Sequence, residues 1–158
     1  MRLPLVELAL LALAAAVVAS ALVRCSGPSR RVVVLASWSL TPGVLNPAVT
    51  QATIAVTICR RGWTRTVRPP VDYTNALKLR GLRQYQLRGP PSAFQEDHLI
   101  SLELGGDPRD PRNLWPEPYP RAAEVDRIEN DLNRRVCEGS LTLAEAQRRE
   151  SALKHTAG

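Results

Sequence analysis

Hydrophobic positions along the chain change period several times, and each change marks an expected element. An uncharged run of mostly Leu, Ala and Val from Leu8 to Val23 follows Arg2 and Glu7 and ends among the small residues Ala19, Ser20 and Ala21. Residues 1–24 read as an export signal or, if retained, an N-terminal membrane segment, because the run falls short of the roughly 20 apolar residues that span a bilayer comfortably. Residues 25–31 form a short polar linker, and 32–156 hold enough chain for one folded domain.

Within that domain, Arg31 to Trp38 is β-branched enough for a strand, and Thr41-Pro42-Gly43 and Asn46-Pro47 follow as turns. Thr53 to Arg60 alternates, with Ile54, Val56 and Ile58 on one face, and reads as a half-buried strand. Gly62-Trp63 turns it into Thr64 to Arg68, the second strand of an N-terminal β-hairpin that Pro69-Pro70 stops. The period then becomes helical from Tyr73 to Leu87, with Leu77 and Leu82 inward. Leu99, Ser101 and Glu103 alternate against Ile100, Leu102 and Leu104, so an extended segment starts at Asp97-His98 and Gly105-Gly106 reverses it. Trp115 is expected to anchor the core or hairpin.

A helix follows from about Arg121 to Val136, with Val125, Ile128, Leu132 and Val136 on its inner face and Gly139 at its end. Thr142 with Glu145 is a capping box for a last helix from Leu143 to about Lys154, whose apolar contacts are Leu143, Ala146 and Leu153. His155 falls in the tail beyond it. The fold class is therefore α+β, a small single domain.

Composition sharpens this picture in two respects. Net charge is +6, nearly all of the positive charge is Arg, and the only lysines are Lys78 and Lys154. Arg60, Arg61, Arg65 and Arg68 in the expected hairpin, with Lys78, Arg80 and Arg83 on the helix after it, read either as a surface for a nucleic-acid backbone or as a solvated face. Export also sets how the cysteines are read, since thiols pair under oxidising conditions. Cys59 and Cys137 are the natural disulfide, closing a loop of nearly eighty residues, worth about 4 kcal/mol by chain entropy. Cys25 sits at the edge of the signal, and Arg24 before it opposes lipid modification.

Candidate chemistry lies in Glu96-Asp97-His98, followed by Gly105-Gly106 and Asn113-Leu114. His98 suits a general base, because an imidazole titrates near neutrality. Asp97 is a hard ligand for a divalent cation such as Mg²⁺. Neighbours on a strand point to opposite faces, so the two share one site only at a twist or a strand end.

These residues, in this order and before a helix, resemble the HNH endonucleases of the ββα-metal (His-Me finger) superfamily. The resemblance covers Glu96 to about Val136, roughly a quarter of the chain. It implies a hairpin whose first strand ends at the Asp-His pair, a helix packed on that hairpin, and hydrolysis of DNA or RNA phosphodiesters with a divalent metal, Mg²⁺ or alternatively Mn²⁺ or Zn²⁺. His98 would be the base and Asn113 would keep it aimed. The family places a His on the helix as a metal ligand, but none occurs between Asn113 and Lys154, so Asp126 and Glu129 stand as the remaining candidate ligands with Asp97.

The function expected is an exported, metal-dependent endonuclease. Two alternatives come with it. One is a non-catalytic, disulfide-stapled extracytoplasmic module that holds an anionic polymer or membrane surface through its Arg-rich face. The other is a small envelope protein held in the membrane by its N-terminal segment.

Overall fold

Pro69-Pro70, Gly89-Pro90-Pro91, Gly105-Gly106 and Gly139 divide the chain, and the regular elements lie between them. The computed structural model describes residues 33–157. Their order is α1 (Trp63–Val67), α2 (Val71–Gln84), β1 (Phe94–His98), β2 (Leu114–Pro118), α3 (Arg121–Cys137) and α4 (Leu143–Thr156), joined by loops and single turns of 3₁₀ helix. This is the small α+β domain expected, with a two-stranded antiparallel sheet followed by a helix. The export or membrane segment at 1–24 and the linker at 25–31 lie outside the described residues. Among the described residues, no helix is long and apolar enough to cross a membrane.

The expected N-terminal β-hairpin is replaced by turns and a short helix. Thr53 draws the backbone into local bonds: its hydroxyl donates to the Ala48 carbonyl, and its carbonyl accepts from the amides of Val56 and Thr57. Cys59 N–H closes on the Ile54 carbonyl at 2.9 Å. Such Ser/Thr bonding competes with a strand ladder. Burial follows helical spacing instead, with Ile58 in the core and Val56 66% exposed. Thr64 to Val67, expected as the second strand, belongs to α1. Nor do residues 33–38 form a strand, although the Ala36 amide docks on the Lys154 carbonyl at 3.0 Å.

β1 and β2 pair with Asp97 opposite Trp115 and His98 opposite Leu114. Cross-strand partners share a face, so the sheet has two distinct sides. Glu96 and Pro116 face α2, where Gly81 lies so close that a β-carbon would meet Pro116 Cδ at 2.8 Å. Asp97 faces α3 and α4. Contrary to the expected extended segment, the strand ends at His98, and Leu99 to Leu104 fold into a buried loop containing one 3₁₀ turn. The Gly-Gly pair makes that loop possible. Gly105 is left-handed at φ +79°, and a β-carbon on Gly106 would lie 1.7 Å from the Ile100 carbonyl oxygen.

α3 turns Ala122, Val125, Glu129, Leu132 and Val136 inward. Ile128, expected inside, is 39% exposed, because steps of four, three and four residues pass through Glu129 instead. α4 begins as its capping box predicts, with Thr142 Oγ1 accepting the Glu145 amide at 3.2 Å. Its inward stripe runs through Leu143, Ala146, Glu150 and Lys154. Val49, Ile58, Ile100, Leu104, Leu132, Val136, Leu143 and Ala146 make the main core. Beside it, the Cys59–Cys137 disulfide ties the turn region to the end of α3. His155 is buried rather than a loose tail residue: it stacks on Trp38 and its Nε2 lies 3.1 Å from the Thr41 carbonyl.

Candidate active site

A cleft of about 370 Å³ opens where β1, the loop after it, α3 and the end of α1 converge. Asp97 and His98 reach it from β1, Glu103 from the loop, Asp126 and Glu129 from α3, and Arg68 from just beyond α1. Asp97 and His98 share the cleft because His98 is the last residue of its strand, where the alternation of faces ends.

His98 is buried, and its Nε2 lies 3.2 Å from the Pro108 carbonyl oxygen. A carbonyl only accepts, so Nε2 carries the proton and Nδ1 keeps the lone pair. Burial lowers the imidazole pKa below its ordinary 6.5, and the charges of Lys154 and Arg68 add to this against the opposing pull of Asp97 and Pro108. The ring is thus a neutral base at neutral pH.

Asn113, fully buried, does not aim the ring by direct contact. Its Nδ2 donates to the carbonyls of Ile100 and Asp107 at 3.0 and 2.9 Å, and its Oδ1 accepts the Ile100 amide at 3.0 Å. These bonds pin both ends of the loop between His98 and the Pro108 carbonyl that contacts it. Asn113 is a positioning residue.

The expected metal ligands divide. Asp97 Oδ2 lies 2.7 Å from Lys154 Nζ, and Glu129 Oε1 lies 2.6 Å from the same atom. Lys154 also approaches Glu150 Oε1 at 3.4 Å and donates to the His98 carbonyl. Asp126, half-buried on α3, lines the cleft without joining this cluster's ion pairs. Two of the three carboxylates are therefore occupied by an ammonium, and as arranged the set does not fit a resident divalent cation.

Burial alone would raise the Asp97 pKa, but the Lys154 charge and hydrogen bond outweigh it and hold the carboxyl below its ordinary 3.8. Around this pair, burial and the Asp97 charge push Glu117 up to about 8. Burial likewise raises Glu129 and Glu150, against the pull of Lys154. Nearer the cleft mouth, burial and the charges of Glu129 and Asp126 push Glu103 up to about 7. Asp126 is raised too, by burial and then by Asp97.

The Arg-rich surface separates into two sets. Arg68 edges the cleft, and Arg60 and Arg61 line an adjoining cavity near the disulfide that shares Thr64 and Glu103 with it. Arg65 is exposed on α1 and folds back toward Gly62. Lys78, Arg80 and Arg83 ride on α2, against the other side of the sheet. There Lys78 donates to the Phe94 carbonyl at 3.4 Å, Arg80 lines a small cavity with Glu96, and Arg83 is exposed.

Sequence reasoning missed Lys154, Glu150, Glu117 and Glu103. A signal existed for the first two: Glu150 and Lys154 continue at helical spacing the inward stripe set by Leu143 and Ala146. Comparison of the chain with protein-family models, with curated proteins and with solved structures returned no match.

Proposed function

We propose that this protein is a hydrolase of nucleic-acid phosphodiesters with His98 as its general base. The observation that carries the reading is the His98 imidazole at the end of β1, opening on a cleft and turned by the Pro108 carbonyl into the tautomer with a free Nδ1 lone pair. In the step proposed, Nδ1 takes a proton from water, the oxygen bonds to phosphorus, the bond from phosphorus to the leaving oxygen breaks, and that oxygen is protonated from solvent. Arg68, Arg60 and Arg61 supply positive charge beside the cleft for the nucleic-acid backbone. The Cys59–Cys137 disulfide is the ground for placing the protein outside the cytoplasm, where such a bond persists.

The test is plasmid nicking by the purified protein, in Mg²⁺, Mn²⁺ and chelator, with His98→Ala alongside. His98→Ala is expected to lower the rate about a hundredfold or more while keeping a cooperative thermal transition. Equal nicking by the variant overturns the assignment. Absence of cleavage by both, with salt-sensitive DNA binding that survives His98→Ala, favours the binding module instead.

A further inference from the structure

The paired carboxylates of the cleft already hold a cation, and it belongs to the chain. We infer that Lys154 takes the place at Asp97 and Glu129 that a divalent metal takes where two carboxylates share one ion. Its ammonium has no exposed surface, stands 2.7 Å from Asp97 and 2.6 Å from Glu129, and donates to the backbone carbonyl of His98. Two of the ammonium's three donors are used in hydrogen bonds, to Asp97 Oδ2 and to the His98 carbonyl, and Glu129 Oε1 adds a close ion pair. Glu150, one helical turn before Lys154, approaches the same nitrogen and accepts the Ser101 amide at 2.9 Å, fixing α4 to the loop after β1.

A divalent cation entering between Asp97 and Glu129 would meet this ammonium at contact distance. It would have to displace that buried ammonium from both carboxylates at once, which leaves a buried charge without its partners. Lys154 therefore closes the pair to metals and, through the His98 carbonyl, holds the strand end that carries the base. It is a positioning residue. The inference rests on the hydrolase reading only in calling this cleft the reaction site.

The test uses the full chain and needs no catalysis. Lys78 and Lys154 are the only lysines, so amine-reactive labelling read peptide by peptide reports Lys154 against an internal control. Lys154 is expected to label at least about tenfold more slowly than Lys78, with no change in millimolar Mn²⁺. Electron paramagnetic resonance of added Mn²⁺ is expected to show no micromolar binding by the wild type. A folded Lys154→Met is expected to bind Mn²⁺ at least about tenfold more tightly than the wild type, as the freed carboxylates become ligands. Mn²⁺-induced labelling of Lys154, micromolar wild-type binding that Glu129→Gln removes, or a folded Lys154→Met without gained affinity overturns the inference. If Lys154→Met does not fold, the two wild-type measurements decide. A chain that excludes Mn²⁺ and cuts nothing fails as a hydrolase and leaves this inference standing.

Discussion

Glu96 and Asp97 are neighbours on one strand, yet the two sides of the sheet treat them in opposite ways. Asp97 is buried against an ammonium that is buried with it, and its pKa falls. Glu96 faces α2, where burial outweighs Lys78 and Arg80 and pushes it up to about 8. The difference lies in the cations. Lys154 has left water together with its partner, whereas Arg80 is exposed and Lys78 only half-buried, so water screens their charge. Of the carboxyls packed against Lys154, Asp97 is the one its charge and hydrogen bond hold below the ordinary value, while burial raises Glu129 and Glu150.

The largest expected effect that tests this contrast is Asp97→Asn. It leaves Lys154 short of its strongest partner and is expected to lower unfolding free energy by about 3–5 kcal/mol at neutral pH, measured by urea denaturation. Glu96→Gln at mildly acidic pH should change it by a small fraction of that. Comparable losses in the two variants would erase the distinction between the sides.

A smaller effect is one of slope with pH. Glu96 holds a proton in the folded state between its unfolded value of 4.5 and about 8, where the unfolded chain has released it, so stability falls as pH rises through that window. Glu117, up to about 8, and Glu103, up to about 7, act in the same sense. Asp97 acts in the opposite sense: its contribution is present above 3.8 and is lost as pH falls through its lowered folded value. The protein is therefore expected to be most stable in mildly acidic buffer. Glu96→Gln should flatten the decline toward pH 8, read from thermal unfolding across pH. An unchanged slope would show that Glu96 is ionised in the folded state.

The hairpin-helix core was legible because its signals are local. Gly105-Gly106 is required where Gly106 meets the Ile100 carbonyl, Asn113 has both ends of its amide bonded to one loop, and Thr142 caps its helix as its spacing to Glu145 predicts. The turn region from Thr53 to Val67 was misread because apolar alternation cannot show that Thr53 takes its backbone bonds locally. Lys154 was missed for a related reason. Hydrophobic periodicity finds inward positions by their apolar residues, and here α3 and α4 place Glu129, Glu150 and Lys154 at them. Helical spacing carries the stripe on to Glu150 and Lys154, but the Asp97 and Glu129 partners against which Lys154 is buried lie far from it in sequence, where no local pattern reaches.

The most direct measurement of the central claim is the pH profile of plasmid nicking by the wild type and His98→Ala. Because burial lowers the His98 pKa, the base form persists into mildly acidic solution. The wild-type rate is expected to stay level as pH falls through the ordinary imidazole value of 6.5 and to drop only below it, with no such limb in His98→Ala. A wild-type rate that already halves above that value, or the same limb in both proteins, would contradict His98 as the base.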